Sequence, residues 1–257
     1  MKKLRIIFKL FLIVLIGFSV FSCVPQRKIK YLQAKSKHDT ITEYYNPVPE
    51  YRLQPGDYLY VKIFTLDDKS NQIFSTISGQ IAQQGEINTY LSSYIIDKEG
   101  NVTFPIFGTI YATGLSVKEV EKKLSEKVGE IMKEASVVVK RVNFNITLLG
   151  EVGSPGRRPV FGERINIFEA IAMGGDLKTF SNRKKVQIIR NENDKNTIVA
   201  FDLTKKEILS SPYYYLQPND IIYVEPLKAK TFGFETFPYG YVFSTISFAL
   251  FLITYFK

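Results

Sequence analysis

The chain has 257 residues, a formal net charge of +9, one cysteine and one histidine. Its 45% hydrophobic and 23% charged residues are ordinary for a packed core and allow one or two domains. The lysines are scattered, without a basic helix or a zinc-ligand spacing, which argues against a nucleic-acid-binding protein. Because His38 is the sole histidine, a metal site built on histidine is excluded.

The N-terminus has the pattern of a cleaved export signal. Several cations precede the apolar stretch Leu10–Phe21, whose twelve residues fit a signal-peptide core and are too few for a spanning helix. We therefore expect residues 1–22 to be a signal peptide. Its removal deletes four cations and no acids, which lowers the net charge from +9 to +5. The deleted cations are Lys2, Lys3, Arg5 and Lys9.

The residues at the end of this leader resemble the lipobox of bacterial lipoproteins. A small residue, Ser22, stands directly before Cys23, although Phe21 is bulkier than the pattern usually has. Cys23 is therefore expected to be the lipidated first residue of the mature chain. The alternative is that Cys23 is a buried thiol or belongs to an ordinary leader. From residue 23 to about residue 50 the chain is polar and contains Pro25, Pro47 and Pro49, which predicts a tether.

A turn motif occurs twice in the chain, each time directly before a strand. Leu53–Asp57 reads Leu-Gln-Pro-Gly-Asp and precedes Tyr58–Phe64, where apolar residues alternate. Leu216–Asp220 reads Leu-Gln-Pro-Asn-Asp and precedes a second apolar strand, Ile221–Val224. We expect the aspartates that end the two motifs to cap their own turns. The alternative, a pair of catalytic acids, is less favoured by this setting.

The stretch Leu66–Ser93 is polar and is predicted to be an inserted loop. A hairpin is predicted next, with strands at Tyr94–Asp97 and Val102–Ile106. Asp97 and Glu99 flank its turn and are interpreted as solvated turn acids, with a glycosidase pair as the alternative. The turn is followed by a short extended segment, a helix and a β-branched strand. The extended segment is predicted at Gly108–Tyr111, and the β-branched strand at Ser136–Val142. The helix is predicted to begin at Ser116, which forms a capping box with Glu119.

A second capping box begins another helix, with Asn166 as the N-cap and Glu169 at the third position. Gly174 and Gly175 follow this helix, so they are expected to end it and not to form a phosphate loop, which needs glycines before a helix. The strands expected to cover this helix are Val186–Ile189, Ile198–Leu203 and Ile221–Val224. Three consecutive tyrosines, Tyr213–Tyr215, either stack on sugars or fill strand and edge positions.

The C-terminus is apolar and aromatic. Val242–Phe256 would give a helix of about 22 Å, and a start at Pro238 gives about 30 Å, so residues 238–257 predict a transmembrane helix. Small residues near one face would form the contact between helices in a pore, with tyrosines near both ends as interface anchors. This face comprises Gly240, Ser244, Ser247 and Thr254, interrupted by Phe251. The alternative is a helix that lies on a surface or packs into the body.

The order of these motifs resembles the polysaccharide biosynthesis/export domain of bacterial outer-membrane capsule exporters. The resemblance covers residues 51–142, from the first turn through the strand after the capped helix. Residues 143–228, with Leu149–Gly156 at the start, resemble the soluble-ligand-binding β-grasp module that follows this domain in the family. The chain has room for one such module, whereas larger members of the family carry two. The expected fold class is α+β, with the export domain, one β-grasp module and the C-terminal membrane helix.

The resemblance implies an outer-membrane, lipid-anchored protein with its body in the periplasm. It further implies a homo-oligomeric ring whose C-terminal helices form a pore for capsular or exopolysaccharide, and an inner-membrane co-polymerase or transporter as partner. Such a conduit needs no catalytic residues and no cofactor. A glycan-binding or scaffold lipoprotein without a pore is the alternative, and a carboxylate-based hydrolase comes third.

Overall fold

A computed structural model describes residues 30–33, 43–65, 90–132, 134–192, 195–228, 230 and 239–255 of the chain. The predicted signal peptide, Cys23 and most of the predicted loop Leu66–Ser93 lie outside these residues. Two separate hydrophobic cores are present, and we call the parts of the chain around them the first and the second module. The mixture of helices and sheets confirms the α+β class.

The first module packs one helix and a hairpin against a three-stranded sheet. The sheet has the order β2-β1-β5, and β1 pairs antiparallel with both neighbours. Leu59 and Val61 of β1 face the core, as the alternation of apolar residues predicts. The elements are β1 (Tyr58–Thr65), β2 (Tyr94–Ile95), β3 (Asn101–Phe104), β4 (Gly108–Tyr111), α1 (Val117–Ile131) and β5 (Ala135–Arg141).

The predicted hairpin between Tyr94–Asp97 and Val102–Ile106 is wrong. Strand β2 pairs with β1 instead, and β3 forms the hairpin with β4, in a register that places Phe104 opposite Gly108. The chain can reverse here because Ile106 and Gly108 both have positive φ angles, 75° and 78°. The sequence signal failed because the Gly100 turn also changes the chain direction, without pairing the two strands beside it.

Helix α1 begins with the predicted capping box. The Ser116 hydroxyl accepts a bond from the Glu119 amide at 3.2 Å, and the Glu119 carboxylate accepts one from the Ser116 amide at 2.6 Å. The bond from the Ser116 amide lowers the pKa of Glu119, so the cap is intact at neutral pH and weakens when acid protonates this carboxylate. Three apolar residues of α1 are fully buried on the core side, namely Val120, Leu124 and Val128.

The second module covers a five-stranded sheet with a short helix. The strand order is β7-β6-β10-β8-β9, and the central β10 runs parallel to β6 and antiparallel to β8. Helix α2 has the predicted Asn166 cap, and it buries Ile167, Ala170 and Ile171. The elements are β6 (Asn145–Gly150), β7 (Gly156–Pro159), α2 (Ile167–Met173), β8 (Ser181–Glu192), β9 (Lys195–Phe201), a 3₁₀ helix (Lys206–Ser210) and β10 (Ile221–Pro226).

The glycines after β6 permit close approach between backbones. Gly150 has a φ of 86°, and a Cβ atom at this position would lie 2.1 Å from the carbonyl oxygen of Val224. At Gly153 a Cβ atom would lie 2.3 Å from the carbonyl oxygen of Gly175, which has the left-handed conformation expected after α2. Any larger side chain at Gly150 or Gly153 must therefore displace backbone.

The expected tether is not independent of the body. Residues 30–33, which we call the strap, lie on the second module. The amides of Leu32 and Gln33 donate to the carbonyls of Leu203 and Thr204, at 3.1 and 2.7 Å. Farther along the chain, the Asn46 amide group donates to the carbonyls of Leu209 and Ser211 in the same module.

The side chain of Tyr31 fixes the strap further. Its hydroxyl donates to the Asp176 carboxylate at 2.5 Å, and its ring meets that of Phe168 edge-on at 5.8 Å. Burial raises the pKa of Tyr31, and the bond to Asp176 raises it further, so the hydroxyl remains a donor at physiological pH. The strap thus combines backbone hydrogen bonds of the kind found between paired strands with a half-buried aromatic side chain.

The C-terminal helix α3 spans Tyr239–Tyr255. Within the part of the chain that the structure describes, neither this helix nor any other is long and apolar enough to cross a membrane. The transmembrane helix predicted at residues 238–257 is therefore not supported. The physical reason is length, because 17 residues give about 26 Å and a hydrocarbon core is about 30 Å thick.

Candidate functional site at the junction of the modules

The two recurring turns have the same backbone geometry. In each, the amide of the aspartate donates to the carbonyl of the glutamine three residues earlier, at 3.1 Å for Asp57 and 3.2 Å for Asp220. The residue before each aspartate has a positive φ, 88° at Gly56 and 65° at Asn219. This conformation suits glycine and is tolerated by asparagine, which explains the exchange between the two motifs.

Each turn also holds the start of its module's capped helix. The Leu53 amide donates to the carbonyl of Leu115, directly before the N-cap Ser116 of α1. The Leu216 amide donates to the carbonyl of Ile165, directly before the N-cap of α2. Both distances are 2.9 Å. The sequence repeat therefore corresponds to a repeated structural unit in which a turn is docked on a helix N-terminus.

The first turn aspartate is held by neutral partners. Asp57 is 4% exposed, and it accepts bonds from the Gln54 amide at 2.9 Å and from the Tyr51 hydroxyl at 3.0 Å. The Asn143 amide group donates to the same carboxylate at 3.3 Å. Burial raises the pKa of Tyr51, and the adjacent Asp57 charge raises it further. The predicted role of Asp57, capping its own turn, is confirmed.

The second turn aspartate has a cationic partner. Asp220 is fully buried and accepts two bonds from Arg190, from Nε at 2.9 Å and from Nη2 at 2.7 Å. It also accepts the Gln217 amide at 2.8 Å, which confirms the capping role here too. Burial raises the pKa of Asp220, whereas the bonds from Arg190 oppose that rise.

Residues of both turns line one cleft between the modules, with a volume of about 230 Å³. The first turn contributes Gln54, and the second turn contributes Leu216–Pro218. Arg141, the last residue of β5, and Phe144, which directly precedes β6, also line the cleft. The remaining lining residues are Val48, Pro49, Glu50, Tyr51, Arg52, Glu163, Arg164, Glu192 and Tyr215.

Arg141 is held between two aromatic rings of this cleft. Its guanidinium carbon lies 3.9 Å from the ring centre of Tyr51 and 4.8 Å from that of Phe144, which is cation–π geometry on both sides. Its Nη1 atom is buried and has no hydrogen-bond partner among the described residues. The cation is thus fixed in position with part of its donor capacity unused.

The three consecutive tyrosines, which the sequence left open as sugar contacts, have different environments. Tyr213 lies under the Arg190 guanidinium at 5.0 Å and beside Phe201. Tyr214 packs between Phe168 and Tyr215 against the second core. Tyr215 alone of the three lines the cleft.

The other acids weighed for hydrolysis are in turns. The Asp97 carboxylate accepts the Asn101 amide at 2.7 Å, which closes the loop between β2 and β3, and Glu99 is exposed in that loop. No group of three or more His, Cys, Asp or Glu side chains could hold a metal ion within the described ranges.

Helix α3 exposes large apolar side chains. Phe243, Phe248 and Phe251 are each more than 60% exposed, and the Phe251 and Tyr255 rings stack at 6.1 Å. All five residues of the predicted pore face are also exposed, and the Thr254 hydroxyl donates back to the Leu250 carbonyl within the helix. Since the large phenylalanines and the residues of the predicted pore face are all exposed, exposure does not distinguish a pore face from the rest of α3, and the pore face stays a prediction. The five are Gly240, Ser244, Ser247, Phe251 and Thr254.

The first module matches a known family. Residues 46–142 match the family described as polysaccharide biosynthesis/export protein, with bounds close to those of the resemblance in the sequence. The resemblance seen in the sequence is therefore confirmed for this part of the chain.

Three curated proteins are similar over a longer stretch. The "EPS I polysaccharide export outer membrane protein EpsA" of Ralstonia solanacearum is 22% identical over 185 residues, 68% of this chain and 48% of that protein. Its counterpart from Ralstonia nicotianae is 21% identical over 184 residues, 68% of this chain and 47% of that protein. The "Exopolysaccharide production protein ExoF" of Rhizobium meliloti is 23% identical over 53% of this chain and 30% of its own length. The chain spans about half the length of the Ralstonia proteins.

Sequence reasoning found the two turns and missed the cleft that they form. Arg141 and Arg190 were not singled out, because each stands near the end of a strand where a cation is usually solvated. The repeated motif contains one signal that could have pointed to these arginines. A buried turn aspartate needs a partner, and a partner is most readily supplied by a long polar side chain on a neighbouring strand.

Proposed function

We propose that this chain is an outer-membrane lipoprotein that exports capsular polysaccharide or exopolysaccharide as a homo-oligomeric channel. The observation that carries the proposal is the family match over residues 46–142, which spans the whole first module. The names of the Ralstonia relatives, which match 68% of this chain, support the same role and the outer-membrane location. Polysaccharide, outer-membrane lipid, further copies of the chain and an inner-membrane co-polymerase or transporter are the partners of this role.

The second module is proposed to be the soluble-ligand-binding β-grasp module, over residues 143–228. Its mixed sheet covered by one helix supports this assignment. Helix α3 is proposed to join copies of the chain and to contact lipid. Its exposed phenylalanines support this, because a lone helix does not keep such side chains in water. Small residues such as Gly240 and Ser247 allow neighbouring helices to approach closely.

The proposal is tested by complementation in the bacterium that carries this chain. Deleting its gene should abolish polysaccharide on the cell surface and in the medium, measured as total carbohydrate. A plasmid copy should restore it, and a copy lacking residues 238–257 should not. The matched control is Ile198→Ser, which changes an exposed apolar residue on β9, away from the helix, and should restore export fully.

The same variants separate the two parts of the proposal. Light scattering in mild detergent should give a homo-oligomer for the full chain and a smaller species for the truncated one. Normal polysaccharide in the deletion strain would overturn the export function. Restored export by the truncated copy would overturn only the role of α3.

Lipidation of Cys23 is a separate prediction that depends on the leader. Cys23→Ala should abolish the incorporation of labelled fatty acid, since acylation uses the thiol of this cysteine. Ser22→Gly keeps a small residue before the cysteine, so this control should still be labelled. Labelling of the Cys23→Ala protein at the level of the unchanged chain would refute the lipobox interpretation.

A further inference from the structure

The cleft between the two turns has the features of a ligand site that export alone does not require. It lies between two modules, is walled by aromatic and apolar side chains, and has a few converging polar groups. We propose that this cleft binds one sugar residue bearing a carboxylate, with Arg141 as the partner of the carboxylate. The saccharide class rests on the proposed function, whereas the anionic group follows from Arg141 itself.

The second module contains an arginine whose guanidinium is paired with a carboxylate, in surroundings similar to those of Arg141. Arg190 lies over the ring of Tyr213, and its guanidinium makes two bonds to the Asp220 carboxylate. Arg141 has the corresponding tyrosine, Tyr51, under its guanidinium. It makes no corresponding carboxylate bond, because Asp57 is taken by neutral donors. Of these two arginines, Arg141 near the first turn is therefore the one without a carboxylate partner.

An unpaired guanidinium atom at this depth is costly. Arginine does not give up its proton, so the charge and its donors persist at every physiological pH. A buried donor without an acceptor costs about 1–3 kcal/mol, and more when the group is charged. Because the rings of Tyr51 and Phe144 already hold Arg141 in place, an entering carboxylate meets a cation that is ordered in advance.

The other side chains of the cleft suit hydroxyl groups and a sugar ring. Glu163 can accept hydrogen bonds from sugar hydroxyls, and Gln54 can both accept and donate. Tyr215 supplies an aromatic ring to the lining. Three arginines line the cleft. Arg52 is already bonded to Glu50 and Glu119, and Arg164 is exposed, whereas Arg141 is half-buried and held by two rings, which makes it the best-placed cation.

The size of the cleft limits the ligand. A volume of about 230 Å³ corresponds to roughly eight water molecules at about 30 Å³ each. One sugar residue fits this space, and a chain of sugars fits only if its other residues extend into solvent. The site therefore recognises one unit or one end of a polymer.

Glucuronic acid is the probe for this site, and glucose and acetate are its comparisons. Full-length protein in detergent should show saturation-transfer NMR signals with glucuronate, much weaker signals with glucose and none with acetate. Arg141→Gln should weaken glucuronate binding by at least about tenfold, the effect of losing one charge-assisted hydrogen bond. Arg157→Gln is the matched control, since Arg157 is exposed on β7 outside the cleft, and it should bind normally.

A second variant covers the case in which Arg141→Gln does not fold. Gln54→Trp enlarges an exposed side chain at the cleft wall, and it should abolish binding by filling the space. Absence of saturable glucuronate binding to the unchanged protein would overturn the proposal. So would equal binding of glucose, or unchanged binding in the Gln54→Trp protein. Export can continue in all of these cases, so this test does not decide the export function.

Discussion

Replacing Asp220 by alanine is expected to lower the free energy of unfolding of the second module by about 3–5 kcal/mol. The substitution leaves the buried guanidinium of Arg190, which is about 8% exposed, without its carboxylate. It also leaves the Gln217 amide without its acceptor at the turn. An uncompensated buried charge is among the costliest single changes in a protein, which is why this effect should exceed those of other turn variants.

The matched control for this prediction is the same change in the first turn. Asp57→Ala removes bonds from Tyr51, Asn143 and the Gln54 amide, all of which are neutral. We expect a cost of about 1–3 kcal/mol in the first module, because no charge is left unpaired. Urea denaturation followed by tyrosine fluorescence and circular dichroism measures both. An Asp220→Ala protein no less stable than Asp57→Ala would contradict the buried ion pair.

A second large effect is expected from Gly150→Ala. A methyl group here would lie 2.1 Å from the Val224 carbonyl oxygen, so β6 and β10 would have to separate at the end of their parallel pairing. The positive φ of 86° adds about 1–2 kcal/mol of backbone strain, and overpacking adds about 1–3 kcal/mol. Together these give a loss of about 2–5 kcal/mol in the free energy of unfolding.

Gly175→Ala separates the two contributions. Gly175 has a φ of 72°, but an added Cβ atom would meet its nearest neighbour at 3.5 Å, an ordinary contact. Only the backbone strain applies, so the expected loss is about 1–2 kcal/mol. Thermal melts of the two variants provide the comparison. Equal losses would mean that Val224 moves away at little cost, and that the close approach does not stabilise the module.

Local features were predictable from the sequence because they are decided within a few residues. Both capping boxes, at Ser116 and Asn166, depend on a side chain and an amide three positions apart. The two turns were likewise visible, since proline followed by glycine or asparagine fixes the backbone there. The predicted strand Tyr58–Phe64 differs from β1 by one residue, because alternation over eight positions is a strong signal.

Non-local features were not predictable in the same way. The pairing of β2 with β1 is decided by contacts across 35 positions of the chain, which no turn signal reports. Strands β6 and β7 were not predicted, although β6 holds the centre of the second sheet together with β10. The cleft depends on how two modules meet, so its key cation, Arg141, was visible in the sequence only as the end of a strand.

The strap at residues 30–33 limits how far the body of the protein can lie from an anchor at Cys23. From Tyr51, a chain extended back to Cys23 could reach about 100 Å at roughly 3.5 Å per residue. Tyr31 and its neighbours are fastened to the second module, so only the eight residues from Cys23 to Lys30 precede this attachment. Their seven steps, at roughly 3.5 Å each, give a reach of about 25 Å. A lipid on Cys23 would therefore hold the second module close to the bilayer surface. Any force on such an anchor would act on the contacts of Tyr31 before it reached the first module.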